Sequence, residues 1–244
     1  MYIGPKLCLF KPEKGIDVYI SGKNSPNSNY ASFKNFIPKD FPDIIDQTIS
    51  SFRQTGIPFT WICEEDNKDF FSKYLQGYGF KISKHFWGMV YKADIEKVQP
   101  PDCVQEISIN ALRGYTEQIA KQLEVDQGYV LQAIAEDLYP KDYTLKAFAV
   151  MGDPGEVKAV SLLITDQKKS LSVLRLAVVF PKFQKRAYYS SMISKRLEVA
   201  DSFGVKNIIC HAYEKAANIL TSHGFKKEFK FYTFESPNWN GTHE

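Results

Sequence analysis

The sequence lacks paired cysteines, a long apolar segment and a strong charge of one sign, and each absence excludes a class of protein. Its four cysteines, Cys8, Cys63, Cys103 and Cys210, contain no C-x-x-C pair, and a reduced chain explains them better than disulfides or a zinc site. No apolar run approaches the roughly 20 residues of a membrane helix. Residues 1–10 are too short and too interrupted for a signal peptide. We therefore expect a cytoplasmic protein with no membrane partner.

The charge balance is only mildly basic, with a formal net charge of +3 and no run of Lys or Arg. Because nucleic-acid-binding domains usually carry a basic patch or stripe, we expect no nucleic-acid partner. The chain has 244 residues and is 44% hydrophobic, which suits one large domain or two modest ones with real cores. The composition leaves the oligomeric state open.

The most informative stretch, residues 170–204, predicts a strand, a short basic loop and a helix. Residues 171–180 are almost continuously apolar, as in a strand buried on both faces. Pro181 ends this strand because proline cannot donate to a sheet ladder. From Tyr188 apolar residues recur with helical spacing, and Gly204 follows them as a stop signal. The residues of this helical stripe are Met192, Ile193, Leu197, Ala200 and Phe203.

Three polar residues, Gln184, Lys185 and Arg186, stand directly before this helix. The first turn of a helix leaves backbone N–H groups unpaired and carries partial positive charge. Two adjacent cations therefore favour the binding of a phosphate or pyrophosphate there. The alternative is an ordinary strand-to-helix turn with solvated charges, and spacing alone does not decide between the two.

At these residues the sequence resembles the GNAT superfamily of acyl-CoA-dependent N-acyltransferases. Residues 179–181 (Val-Phe-Pro) match the first part of its V-x-P … Q/R-x-x-G-x-G/A signature, and residues 184–189 lie on the second part. The resemblance implies an α/β fold with a mixed sheet, acetyl-CoA as co-substrate and no metal. It also implies that Ala177, Val178 and Val179 contact the pantetheine arm. The residues that it places around the pyrophosphate are Gln184, Lys185, Arg186, Ala187, Tyr188, Tyr189 and Ser190.

Two residues of the loop depart from this signature. Ala187 stands at the first glycine position and Tyr189 at the second, whereas glycine lets a backbone approach a ligand closely. Alanine is a small change. The tyrosine either crowds the phosphates or points away into the core.

The same order of elements occurs twice in the chain. A helix, a strand with Ile-Cys, a helix, Gly-Phe-Lys and a closing strand surround Cys63 and Gly79, and again Cys210 and Gly224. Such a repeat indicates a duplicated fold unit, and the resemblance extends to tandem members of the superfamily. Residues 33–42, where a phosphate loop of the first half should lie, contain two prolines and no glycine. We therefore expect a degenerate first unit, which is either structural or a wall of the acceptor cleft.

The Pro-Pro pair at residues 100–101 is the predicted boundary between the two units, because it favours an extended linker. This boundary divides the chain into a degenerate GNAT-like unit at 1–99, a GNAT-like acyltransferase unit at 102–236 and a tail at 237–244. The second unit reads β-α-α-β-β-β-α-β-α-β, which is the order of elements in a GNAT domain.

The predicted acid–base residues differ from the set that GNAT enzymes commonly use. A tyrosine four residues before the Gly-Phe pair often serves as the acid, and here that position is Leu220. The remaining candidates follow the next strand: His211 as base, whose ordinary pKa suits that role, and Tyr213 as a displaced acid. The alternatives are a hydrogen-bonded histidine and a tyrosine ring packed under the cofactor. Cys210 is interpreted as a small core residue.

The resemblance implies direct transfer of an acetyl group from acetyl-CoA to an amine of an unknown acceptor. The alternative is a catalytically inactive GNAT-like protein that binds a ligand or a protein partner. Leu220 and Tyr189 are the residues that support this alternative.

Overall fold

The structure is a computed structural model that describes residues 16–20, 24–26, 29–33, 41–92, 103–152, 155–184 and 187–239. The chain divides into two compact units. Unit 1 consists of Met1–His85 together with Lys230–Glu244, and unit 2 consists of Phe86–Phe229. The predicted boundary at residues 100–101 lies outside the described residues and stays a prediction.

The described residues contain both helices and a mixed sheet, which confirms the predicted mixed α/β class. The strands are β1 (Ile16–Tyr19), β2 (Tyr30–Phe33), β3 (Thr60–Glu64), β4 (Lys81–Lys92), β5 (Val104–Ile107), β6 (Tyr143–Met151), β7 (Val157–Asp166), β8 (Leu171–Val179), β9 (Asn207–Ala212) and β10 (Lys226–Glu235). The α-helices are α1 (Phe41–Thr55), α2 (Lys68–Gln76), α3 (Ile109–Arg113), α4 (Thr116–Leu123), α5 (Gln127–Ala133), α6 (Tyr188–Ser202) and α7 (Glu214–Ser222).

The strands of unit 1 are ordered β1-β2-β3-β10-β4, where β10 and β4 contribute only their parts within the unit. Strand β2 pairs parallel to β3, and β1 pairs antiparallel to β2. The outer half of β10 pairs antiparallel to β3, with Tyr232 opposite Cys63. Lys84 of β4 joins this sheet through hydrogen bonds of its backbone N–H and carbonyl to the Thr233 hydroxyl, both 2.9 Å long.

The strands of unit 2 are ordered β4-β9-β8-β7-β6-β5. Only β8 and β9 are parallel, and their pairing includes Val173 opposite Ile209. The part of β4 that belongs to unit 2 pairs antiparallel to β9, with Met89 opposite Cys210. The sheet is therefore mixed, as predicted.

The closing strands of the two repeats are exchanged. Strand β4 follows β3 and α2 along the chain, yet it pairs with β9, whereas β10 follows β9 and α7 and pairs with β3. Each unit is thus completed by a strand from the other half of the sequence. The sequence did not predict this exchange, because β4 and β10 bury the same alternating side chains whether they pair within their own repeat or with the other repeat.

The two Gly-Phe-Lys turns have the same geometry, which confirms the predicted duplication. Gly79 has φ of 82° and Gly224 has φ of 86°, values that glycine adopts without steric cost. The N–H of Phe80 donates to the carbonyl of Leu75 at 3.2 Å, and the N–H of Phe225 donates to the carbonyl of Leu220 at 3.1 Å. Both turns close the preceding helix in the manner of a Schellman motif.

The core of unit 1 is strongly aromatic. Phe52, Phe59, Trp61 and Phe71 have no exposed surface, and the rings of Phe52 and Phe59 stack with centroids 3.9 Å apart. Aromatic side chains bury large areas and make favourable ring contacts. Burial of apolar surface therefore stabilises this unit although its sheet is small.

The core of unit 2 lies between its sheet and α6. Leu174 of β8 and Cys210 of β9 pack there against Met192 and Leu197 of the helix. We call this side of the sheet the back face and the opposite side the front face. Successive strand residues alternate between the two faces.

Several predicted element ends differ from the structure for local reasons. The strand expected over 104–109 ends at Ile107, because the Ser108 hydroxyl caps the next helix by accepting the N–H of Ala111 at 3.0 Å. The helix expected over 112–123 is broken into α3 and α4 at Gly114. These corrections leave the predicted order of strands unchanged.

Candidate functional site

Strand β8 contains a β-bulge at the level of the predicted pantetheine contacts. Its register against β7 shifts between Arg175 and Val178, so that Leu176 and Ala177 both face Ser161. Leu176 has φ of 49°, a left-handed conformation that costs a non-glycine residue roughly 1–2 kcal/mol. Because a bulge bends a strand and increases its twist, β8 changes direction at this point.

The parallel pairing of β8 with β9 stops just before the bulge. The last described pair is Val173 with Ile209, although β8 continues to Val179 and β9 to Ala212. In the described residues, the edge of β8 over 174–179 that faces β9 therefore has no strand partner. We call the opening that results the β8–β9 gap. An unpaired strand edge can pair with the amides of an extended ligand.

Helix α6 follows β8 and begins without a side-chain cap. Its N-cap residue Ala187 makes no capping hydrogen bond, and the first turn contains no acidic residue. The first backbone bond of the helix runs from the Ser191 N–H to the Ala187 carbonyl, at 2.9 Å. The N–H groups of residues 189 and 190 therefore have no partner inside the helix. Together with the helix dipole, they favour an anion at this end.

The described residues of the predicted phosphate loop surround this helix end. Gln184 is exposed and follows a 3-10 turn at Pro181–Phe183. Tyr188 and Ser190 are partly buried in the first turn of α6. Lys185 and Arg186 lie outside the described residues.

The side chain of Tyr189 turns into the core of unit 2. It packs against the hydrophobic cluster between α6 and the sheet, and burial raises the pKa of its hydroxyl. Of the two orientations that the sequence left open, the structure therefore has the inward one. Tyr189 leaves the exposed side of the α6 N-terminus clear.

His211 lies on the front face of the sheet, beside the β8–β9 gap. Its neighbours Cys210 and Ala212 point into the core on the back face, and its ring lies 5.0 Å from that of Phe86. The side chain is accessible to solvent, yet the protein atoms around the imidazole lower its pKa to about 4, and the charge of Arg175 adds to this effect. His211 is consequently neutral at pH 7.

Arg175 is a front-face residue that the sequence reasoning missed. Its guanidinium Nη2 donates to the Tyr129 hydroxyl at 2.6 Å. The available signal was that Arg175 is the one charged residue within the apolar run 171–180. Since it lies two residues beyond Val173, and His211 two beyond Ile209, the two side chains are same-face neighbours where the strand pairing ends.

Tyr213, Leu220 and Cys210 are the other residues that the sequence analysis considered for the chemistry. Tyr213 is 54% exposed and its ring meets that of Phe86 edge-on at 6.3 Å. Leu220 is buried in the core, so no acid stands at its position. Burial raises the pKa of the Cys210 thiol to about 12, and a thiol of this kind is inert. The core interpretation of Cys210 is therefore confirmed.

The residues at the gap and at the helix end fit an elongated ligand that carries amides and a pyrophosphate. The unpaired edge of β8 offers backbone groups to the amides, and the uncapped start of α6 offers N–H groups to phosphate oxygens. In the described part of the chain, no group of three or more His, Cys, Asp or Glu side chains is arranged to hold a metal ion. No helix in the same residues is long and apolar enough to span a bilayer.

Solved structures resemble this chain closely in fold and only weakly in sequence. A GCN5-related N-acetyltransferase from Kribbella flavida matches with a TM-score of 0.66 at 12% identity, covering 97% of this chain and 88% of that one. A functionally unknown conserved protein from Staphylococcus epidermidis matches with a TM-score of 0.65 at 17% identity, covering 96% and 94%. No family model and no curated protein matches the sequence.

A third similar structure has the same two-unit organisation. It is a tandem GNAT protein from the clavulanic acid biosynthesis pathway, with a TM-score of 0.63 at 9% identity, and the match covers 93% of this chain and 84% of that one. At these identities the likeness concerns the fold. The chain thus has the fold of the GCN5-related N-acetyltransferases, in its tandem form.

Proposed function

We propose that the second half of the chain is an N-acetyltransferase that transfers an acetyl group from acetyl-CoA directly to an amine. The observation that supports this most is the β8–β9 gap together with the uncapped N-terminus of α6. The two features follow one another along the chain, as the pantetheine arm and the pyrophosphate do in acyl-CoA. The catalytic unit is proposed to be 102–236, and the first half, 1–99, to be structural.

Acetyl-CoA binds along the edge of β8 and at the start of α6. The backbone of Ala177, Val178 and Val179 pairs with the pantetheine amides, because the bulge and the missing strand partner expose this edge. The pyrophosphate is held by N–H groups and side chains of the loop and the first helical turn. These residues are Gln184, Lys185, Arg186, Ala187, Tyr188, Tyr189 and Ser190.

The acceptor amine approaches from the front face, where His211 and Tyr213 lie. A histidine with a pKa of about 4 is neutral at pH 7 and accepts a hydrogen bond from an amine N–H, although it is a weak base. The amine therefore has to arrive uncharged, and the nearby positive charge of Arg175 favours that form. Holding the amine against the thioester replaces a bimolecular encounter, which supplies a large part of the acceleration.

Transfer is direct and passes through no acyl-enzyme. The thiol nearest to the gap, Cys210, is buried and has a pKa of about 12, so it carries almost no thiolate at pH 7. Nucleophilic catalysis by cysteine requires that thiolate. The amine nitrogen itself attacks the thioester carbonyl.

A thermal-shift titration with acetyl-CoA tests the binding step, because a ligand that binds only the folded state raises the melting temperature. The double variant Lys185→Ala, Arg186→Ala should bind acetyl-CoA more weakly, since charged hydrogen bonds contribute about 1.5–3 kcal/mol each. Lys182→Ala is the matched control, because Lys182 is exposed and pairs with Glu156 at 3.0 Å. Unchanged affinity in the double variant would place the cofactor elsewhere.

The second candidate function is ligand binding without catalysis, which the burial of Leu220 favours because the usual acid is absent. An amine panel with acetyl-CoA, read as release of free CoA thiol, separates the two functions. Turnover of any amine supports the enzyme. Binding of acetyl-CoA without transfer to any amine, and without slow hydrolysis of the thioester, supports the binding protein.

A further inference from the structure

Arg196 of α6 is a charged side chain sealed inside unit 2. It is 1% exposed, and its Nε–H donates to the Met192 carbonyl one turn earlier, at 3.0 Å. Across the described residues, no carboxylate lies within ion-pair distance of this guanidinium. A guanidinium stays protonated in proteins, so its positive charge is buried, and none of the described carboxylates pairs with it.

Such a charge is costly to bury, and the fold does not require it. Helices α1 and α6 are closed by Gly56 and Gly204, which have the same φ of 68°, and with these glycines aligned Thr48 of α1 stands where Arg196 stands in α6. Thr48 is 4% exposed, and its hydroxyl donates to the Ile44 carbonyl one turn earlier, at 2.8 Å. A short uncharged side chain therefore satisfies this position in the repeat that lacks the phosphate loop.

Two side chains that can carry a proton lie within the field of Arg196. Tyr189 precedes it by two helical turns on the same stripe of α6, and Cys210 faces it from β9. The positive charge of Arg196 acts on both of these titratable groups. Burial raises the pKa of Tyr189, and the charge of Arg196 lowers it. The Tyr189 hydroxyl makes no hydrogen bond with any described residue.

This cluster lies behind the β8–β9 gap. Cys210 directly follows Ile209, the last residue of β9 that pairs with β8, and its side chain points to the back face. Tyr189 and Arg196 pack against that same face from α6. The thioester sulphur of a ligand held in the gap would therefore border this cluster.

We propose that Tyr189 and Arg196 form the anion site for the departing CoA thiolate, with Tyr189 as the proton donor and Arg196 as the buried charge that stabilises the resulting phenolate. This inference rests on the proposed acetyl transfer. It assigns the missing acid to α6 and leaves Leu220 of α7 as a core residue.

The proton and electron balance of the step is complete. The amine nitrogen forms the new C–N bond, and the C–S bond breaks with its electron pair on sulphur. Tyr189 transfers its hydroxyl proton to that sulphur. The proton that the amine nitrogen loses returns to the phenolate through solvent, so that the products are an amide and free CoA.

The ionisation of CoA bound to the protein tests this site without knowledge of the acceptor. Ultraviolet absorbance of the thiolate gives the pKa of the CoA thiol, free and bound. In the wild type we expect bound CoA to ionise at a pKa lower by about one unit or more, because an opposite charge nearby favours the charged form. Arg196→Met should abolish this difference, whereas Lys195→Met, which removes the same charge from the neighbouring residue of α6 that pairs with Glu198 at 2.7 Å, should retain it.

The stability of the variants separates a functional charge from a structural one. We expect Arg196→Met to keep or raise the melting temperature, since it removes a buried charge that no described carboxylate compensates. For any amine that is turned over, Tyr189→Phe should lower kcat by about 10²–10⁴-fold while KM for acetyl-CoA changes little.

Each remaining outcome overturns the proposal. If bound CoA ionises as it does in solution, or if Arg196→Met leaves its pKa unchanged, the anion site is wrong while acetyl-CoA binding and transfer stand. If Arg196→Met lowers the melting temperature sharply, the arginine is structural. If the wild type binds neither CoA nor acetyl-CoA, the proposed function fails and the anion site fails with it.

Discussion

The two repeats of this chain have helices of equal length and similar turns, but they differ in chemistry. Helices α1 and α6 both have 15 residues, and α2 and α7 both have nine. Gly56 and Gly204, which follow the longer helices, both have φ of 68°. Cys63 and Cys210 are each the fourth residue of their strand, and burial raises the pKa of both thiols to about 12.

The differences concentrate at a few positions of the longer helix. The first turn contains the acidic Asp43 in α1 and no acidic residue in α6. With Gly56 and Gly204 aligned, Thr48 of α1 stands where Arg196 stands in α6. An acid in the first turn repels phosphate, whereas a neutral, uncapped start attracts it. The comparison teaches that the same arrangement of helices and turns can carry different side chains at the start and in the middle of the longer helix, where the proposed site lies.

The exchanged closing strands give the test with the largest expected effect. Phe234 of β10 is 1% exposed and lies opposite Trp61 in unit 1. Phe234→Ala should lower the free energy of unfolding by about 3–5 kcal/mol, because it leaves a cavity in that core. Urea unfolding monitored by tryptophan fluorescence measures the loss.

The matched control for this variant lies in the same strand. Phe229 is 52% exposed, so that Phe229→Ala should change the free energy of unfolding by no more than about 0.5 kcal/mol. Equal losses in the two variants would contradict the assignment of the outer half of β10 to the core of unit 1.

A polar contact of the first repeat gives the next largest effect. Asp46 of α1 accepts hydrogen bonds from the hydroxyls of Tyr74, at 2.7 Å, and Tyr78, at 2.6 Å, whereas the corresponding residue of α6 is the buried Ser194. Asp46→Ala should destabilise the protein by about 1–3 kcal/mol, since two partly buried donors lose their acceptor.

Asp43→Ala, in the first turn of the same helix, is the control for Asp46→Ala. Asp43 is exposed, so its loss should remove only the helix-dipole contribution of about 0.3–1 kcal/mol. Thermal melts of both variants at pH 7 make the comparison. A larger loss in Asp43→Ala would show that the tyrosine contacts contribute little.

An acidic residue placed in the first turn of α6, as Asp43 is in α1, tests whether this residue accounts for the difference between the repeats. Ser190→Asp places a carboxylate at the third position of α6, where the helix dipole favours it, so the fold should be kept. The same charge repels a bound pyrophosphate, and we expect about tenfold weaker binding of acetyl-CoA. Calorimetry at low and high salt checks this.

Two results would contradict the placement of the phosphates at α6. One is unchanged affinity in Ser190→Asp. The other concerns the double variant Asp43→Ser, Ser190→Asp, in which the acidic residue is moved from α1 to α6. Binding of acetyl-CoA to the first repeat in this variant would contradict the placement.

The strands β3 and β9 are equivalent in the two repeats, and their fifth residue gives the smallest expected effect, a dependence of stability on pH. It is Glu64 in β3 and His211 in β9. Because the pKa of His211 is about 4 in the folded protein and about 6.5 in an unfolded chain, the unfolded state binds the proton first as the pH falls. Stability is therefore full above pH 6.5 and declines between pH 6.5 and 4.

His211→Gln should make this decline shallower, while wild type and variant stay alike at pH 7.5. His223, whose pKa burial also lowers, contributes in the same direction in both proteins. Melting temperatures at pH 7.5, 5.5 and 4.5 test the prediction, and identical slopes would refute it.

Local sequence signals predicted most of the second half. The apolar run, Pro181 and the helical stripe after Tyr188 placed β8 and α6 within one residue of their observed ends. The repeated order of elements predicted the duplication, and the glycines of both Gly-Phe-Lys turns have the positive φ that only glycine adopts without strain. The predictions failed at element ends such as Ser108, where capping competed with strand extension.

The sequence by itself determined the repeated elements and their order, since periodicity, proline and glycine act through neighbouring residues. Only the tertiary structure decided that β4 and β10 are exchanged, that Tyr189 points inward and that Arg196 is buried. Strand pairing and burial depend on residues far apart in the chain, and no local pattern records which distant surface a side chain meets.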